Sequence, residues 1–127
     1  LNIQVLKRGL RHNEIYFLSA FGEGRGIWHG PEACSPGSVL EAEFEVPGLL
    51  MRWIDIVPAA ERSAAAIALD GGSVVLTGVL ESIEEDGAGY LRLGDTLVMF
   101  ECLGEPMALG GYVELRTDAL MLYPVYL

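Results

Sequence analysis

The sequence predicts an all-β fold: a small barrel or sandwich of about nine short strands with at most one short helix. Three observations predict it. Turn-forming Gly, Pro, Asn and Asp residues recur roughly every 8–12 residues along the chain. The apolar stretches between them are short, and several alternate with polar residues. With 127 residues, 51% of them hydrophobic, the chain can build a single core spanning 1–127 without a disulfide or metal staple.

The elements follow in order. Residues 3–7 and 14–21 read as a strand pair joined around Gly9 and Asn13. From Gly22 to Gly37 the density of Gly and Pro predicts one long loop. Residues 39–46 are the clearest strand: Leu40, Ala42, Phe44 and Val46 alternate with Glu41, Glu43 and Glu45, giving an apolar face and a carboxylate face. Pro47-Gly48 is expected to end it, because proline gives no N–H to a ladder. Residues 52–57 read as the next strand. Residues 58–66 are the one helical candidate, with Pro58 suited to a first helical position and alanines behind it. A rival reading pairs residues 66–69, through Asp70-Gly71-Gly72-Ser73, with a long strand at 74–83 that bends or bulges at Gly78.

Residues 84–89 form a hairpin loop in which Asp86-Gly87 supplies the positive φ. Strands at 90–93, 97–103, 112–116 and 120–123 complete the chain, the last two joined at Thr117-Asp118.

The order from Val74 onward resembles the small Greek-key barrels of the OB-fold type. The carriers are Val75-Leu76-Thr77-Gly78-Val79-Leu80, the hairpin Glu85-Asp86-Gly87, and Gly111-Tyr112-Val113-Glu114-Leu115. The resemblance implies a barrel, and such barrels often bind single-stranded nucleic acid through cations and aromatics. Here the matching half departs from the pattern, because its only basic residues are Arg92 and Arg116. Phosphate contacts require more.

Charge is the strongest functional signal. The net charge is −10. Residues 1–63 hold six basic and eight acidic residues, whereas residues 64–127 hold two and ten. This argues against nucleic acid and towards a basic protein partner. No window approaches the roughly 18 apolar residues of a membrane-spanning helix, so no membrane association is expected. No signal peptide is read in the sequence, so a reducing cytoplasm is the expected location, while a start at Leu1 rather than Met also admits a trimmed leader.

Signatures of chemistry are sparse. Gly22-Glu23-Gly24-Arg25-Gly26 lacks the lysine and the helix of a phosphate loop. Two Cys and two His fall short of a structural zinc set, so neither metal nor cofactor is expected; Cys34 and Cys102 are expected to stay unjoined. His29 and Cys34 are the only seed of a nucleophilic dyad, and no catalytic residue is assigned. Asp55, between Ile54 and Ile56, is expected to pair with Arg52 or Arg62.

Trp28, in a polar loop, stands out as an interface anchor, and Tyr90, Tyr112, Tyr123 and Tyr126 could add to an aromatic surface. The candidate partner-binding residues are therefore Trp28, Glu84, Glu85, Asp86 and Asp95. The first expectation is an acidic, non-enzymatic bacterial protein-binding domain, in concrete form an immunity-type inhibitor of a basic toxin nuclease. Two alternatives stand beside it. One is a small-ligand-binding or hydrolytic barrel with the segment from Gly22 to Gly37 as its lid; the other is a subunit of a homo-oligomer.

Overall fold

A computed structural model describes residues 1–31 and 34–125. Eleven strands run through the described residues: β1 (Asn2–Arg8), β2 (Glu14–Ser19), β3 (Gly22–Trp28), β4 (Val39–Met51), β5 (Ile56–Pro58), β6 (Ala66–Asp70), β7 (Ser73–Ile83), β8 (Ala88–Leu93), β9 (Thr96–Leu103), β10 (Tyr112–Thr117) and β11 (Leu120–Pro124). None of the described residues is helical. The protein is all-β, and its strands close into a barrel.

The closure is readable from the pairings. Strands β1, β2 and β3 form an antiparallel meander, and β4 returns to lie beside β1. The spatial order β4-β1-β2-β3 is a Greek key. Strand β11 fills the gap between the ends of that key, parallel to β3 and antiparallel to β4. Five strands thereby form a ring with no free edge.

The second half repeats the plan. Strands β7, β8 and β9 form a meander and β10 returns beside β7, giving β10-β7-β8-β9. The place between β9 and β10 is taken by the chain that leaves the first key. Leu49, Leu50 and Met51 at the end of β4 run parallel to β9, and β5 then runs antiparallel to β10. A bridge between Arg52 and Ile56 joins the two pieces. Each key therefore lends the strand after its fourth to complete the other.

The two keys correspond bond for bond at several points. Val5 donates to Ser38 and accepts from Gly37, as Leu80 donates to Gly111 and accepts from Gly110. A bulge follows each of them, with Phe17 and Tyr16 paired across the first and Leu91 and Tyr90 across the second.

The core runs through both keys, from Ile3, Phe17, Phe44 and Leu122 to Leu76, Leu91, Phe100 and Leu115. The alternation of β4 places its residues as the sequence reads: Ala42, Phe44 and Val46 are buried, Glu41 and Glu43 exposed, Leu40 and Glu45 in between. Burying such a face at roughly 25 cal/mol per Å² is what holds a strand in register.

Several expectations are corrected. The segment from Gly22 to Gly37 is not one loop, because its first seven residues are β3. Gly24 and Gly26 are there because the Phe17 ring and the Leu122 side chain leave no room for a Cβ, at 2.5 and 2.8 Å. Residues 58–66 are not helical: Pro58 pairs with Val113, and Ala59 N donates to Tyr112 O, so the ladder takes their backbone. Pro47-Gly48 does not end β4 but bends it, with Gly48 at φ 77° and a register shift between Glu45 and Leu49. Of residues 52–57, Trp53, Ile54 and Asp55 are a turn and only Ile56 and Val57 belong to a strand, β5. The bulge in β7 lies between Leu80 and Ser82; Gly78 instead lets the Arg92 carbonyl approach to 2.5 Å of where a Cβ would stand. Strands β10 and β11 pair with other strands and make no hairpin.

Candidate functional site

The chain between the two keys makes a tight loop that carries the most exposed apolar side chains of this region. Asp55 organises it. Its Oδ2 accepts from Met51 N at 2.7 Å, its own N–H donates to Met51 O at 2.8 Å, and its carbonyl accepts from Arg116 N. Asp55 is thus a loop staple, and the ion pair with Arg52 or Arg62 is not formed. Arg52 turns the other way, donating to the Gly104 carbonyl and, at 3.7 Å, to Cys102 Sγ. Burial raises the Cys102 thiol pKa above its ordinary value, and Arg52 only partly opposes this.

Trp53 sits at the apex. It adopts φ 71°, a conformation that bulky L-residues avoid. Its N–H donates to Ile56 O at 2.7 Å, and its indole Nε1 reaches the carbonyls of Glu105 and Pro106, both at 3.3 Å. The residue is nevertheless 49% exposed, and Ile54 beside it is 74% exposed. Leu49, Met51, Leu103 and Leu109 are also exposed. The register brings Met51 opposite Leu103.

Three depressions meet here. One of about 430 Å³ lies between Trp53, Pro58, Met107 and Tyr112. A second, about 380 Å³, shares Met107 and is bordered by Arg52, Leu109, Glu84 and Glu85. The third, shallow one joins Trp53 and Ile54 to Glu105 and Pro106. The structure therefore sets two of the sequence-predicted residues, Glu84 and Glu85, against an apolar surface. Asp86 is in the same exposed hairpin, where its Oδ1 accepts from Ala88 N at 3.0 Å. Asp95 lies at the far end of β8, in the turn after Leu93, and does not join them.

Trp28 is corrected as a surface anchor: it ends β3 and is buried. The tryptophan at a surface is Trp53, which the sequence reading placed inside a strand. The one sequence signal near it is Pro47-Gly48, which marks a bend in the chain but not the exposure of Trp53. The two members of the dyad seed have different neighbours. His29 stacks on Tyr123 at 4.9 Å, while Cys34 lines a depression of about 320 Å³ with His12, Arg8 and Arg11. Burial raises the Cys34 pKa, with Arg8 opposing, so it is a poor thiolate. Cys34 and Cys102 are both free, as expected. The first seven residues of the expected lid segment are β3, paired along their length with β2 and at Gly26, Ile27 and Trp28 with β11. Tyr126 lies outside the described residues.

Among the described residues, no group of three or more His, Cys, Asp or Glu is placed to hold a metal ion, and no helix is long and apolar enough to cross a membrane. No family model, curated protein or solved structure matches the chain.

Proposed function

We propose that the protein is an acidic, non-catalytic binding domain whose partner is a basic protein, with an immunity-type inhibitor of a toxin nuclease as the concrete case. One observation carries the reading. Glu84, Glu85 and Glu105 are exposed and border the depressions around Trp53, Asp86 shares the hairpin of the first two, and among the described residues none of the four forms an ion pair. Unpaired surface carboxylates steer a cationic partner by their summed field and suppress acidic competitors. Apolar groups next to them would supply the contact that persists once the partner has arrived. A bacterial cytoplasmic setting belongs to the same proposal.

The test is capture of a partner from lysate of the source cell, followed by kinetics with both proteins purified. The reading requires a basic partner whose association rate falls as salt rises. A neutral or acidic partner, or an association rate indifferent to salt, would overturn it.

A further inference from the structure

The surface around Trp53 is built in a way that its own fold does not require. A tryptophan at φ 71° is strained, and glycine or asparagine would hold the same turn without that strain. The strain does not serve burial, since about half of the residue's surface remains in solvent. It serves position: two backbone carbonyls hold the indole N–H, and the ring stands where two depressions meet. Strained, exposed and rigidly oriented aromatics are typical of binding anchors.

The backbone here is already satisfied. Trp53 N, Ile54 N and Asp55 N all donate within the loop, so a partner would be recognised by side chains rather than by strand addition. The apolar groups define one half of that recognition and the acids the other. Glu61 borders the depression between Trp53 and Tyr112, Glu105 the shallow one, and Glu84 and Glu85 the third. The one cation in these walls, Arg52, donates to the Gly104 carbonyl and Cys102 Sγ and keeps its charge, one against the four carboxylates.

Resting on the reading of the chain as a binding domain, we propose that this surface docks an amphipathic basic segment of the partner. A bulky apolar side chain fills the depression between Trp53, Met107 and Tyr112, and flanking Lys or Arg side chains lie over Glu61, Glu84, Glu85 and Glu105. A second copy of the chain is the poorer occupant. A two-fold contact would set this acidic rim against itself, and each copy carries −10.

The test uses the full chain and two 15-residue peptides of equal charge, one alternating Lys with Leu over an amphipathic pattern, the other with Ser in place of Leu. Calorimetry should show the Lys/Leu peptide binding at least tenfold more tightly than the Lys/Ser one. Trp53→Gly should remove that advantage without lowering the thermal midpoint. Ile54→Ser, a change at an exposed loop position, should weaken binding several-fold and decides the matter should Trp53→Gly misfold. Equal binding of the two peptides would sink the docking surface and leave the acidic binding domain standing. Failure of both peptides to bind would sink both readings. Undiminished Lys/Leu binding in Ile54→Ser would overturn the site, as would a wild-type dimer in sedimentation that Trp53→Gly dissociates.

Discussion

Asn13 and Gly87 hold the same place in the two Greek keys. Each has a positive φ, 56° and 92°, and each gives its carbonyl to the third strand of its key: Trp28 N donates to Asn13 and Cys102 N to Gly87, both at 2.9 Å. The two differ in what a side chain would meet. A Cβ on Gly87 would lie 2.5 Å from the Cys102 carbonyl oxygen. Gly87→Ala should therefore lower stability by about 2 kcal/mol or more, combining backbone strain with that clash. Asn13→Gly should change it by under about 0.5 kcal/mol, since asparagine already tolerates this region. Urea unfolding of both variants checks the contrast.

Arg25 clamps two turns. From inside β3 its Nη2 reaches the carbonyls of Gly72, in the turn between β6 and β7, and Asp118, in the link between β10 and β11, at 2.6 and 2.5 Å. Its Nε lies 4.0 Å from Glu14 Oε2, too far for a hydrogen bond, and Glu14 is held instead by Arg11 at 2.7 Å. The side chain is about nine-tenths buried. Arg25→Met should cost about 3 kcal/mol or more in guanidinium unfolding, because two carbonyls and part of a buried carboxylate lose their charged partner. Arg25→Lys should recover less than half of the loss, since one ammonium lacks the planar fork.

Both thiols should shape the alkaline limb of stability. Burial raises Cys34 and Cys102 above the ordinary thiol value of about 8.5. As pH climbs through that value the unfolded chain loses its thiol protons while the folded chain keeps them. The unfolded state then binds fewer protons, so stability falls with rising pH. It is fully present below the ordinary thiol value and is lost as pH rises through the raised values of the folded chain. A Cys34→Ala, Cys102→Ala chain should show a flatter profile across that window. An unchanged slope would mean the thiols are not its source.

The strand character of the chain was legible because side-chain alternation is a local property. Residues 39–46 show both faces of β4, and Asp70-Gly71-Gly72-Ser73 shows the β6–β7 turn. The reciprocal exchange was not legible, because it is written in hydrogen bonds rather than in residue identity. Equivalent positions share little more than Tyr16 with Tyr90, Gly37 with Gly110 and Glu41 with Glu114. Gly24 and Gly26 misled in the same way: their composition reads as a loop, but in β3 they are small residues under Phe17 and Leu122. Glu84 and Glu85 were visible as charge, whereas Trp53 was hidden, since its exposure depends on a backbone angle that only the assembled loop reveals.

The acidic hairpin should act on rate more than on lifetime. Glu84, Glu85 and Asp86 are exposed, so cations laid over them at the rim of the docking surface stay solvated, and such rim charges act mainly on the association rate. Exposed charges are screened beyond a Debye length of about 8–10 Å near physiological ionic strength. Replacing them with Gln, Gln and Asn removes three charges and keeps the turn, because the asparagine Oδ1 can still accept from Ala88 N as Asp86 does at 3.0 Å. With a purified basic partner, stopped-flow association of this variant should slow several-fold at low salt and lose most of its salt dependence. Dissociation, governed by the apolar contact around Trp53, should change by less than about twofold. The opposite pattern, an unchanged association rate with faster dissociation, would place these carboxylates inside the contact and remove their role in steering.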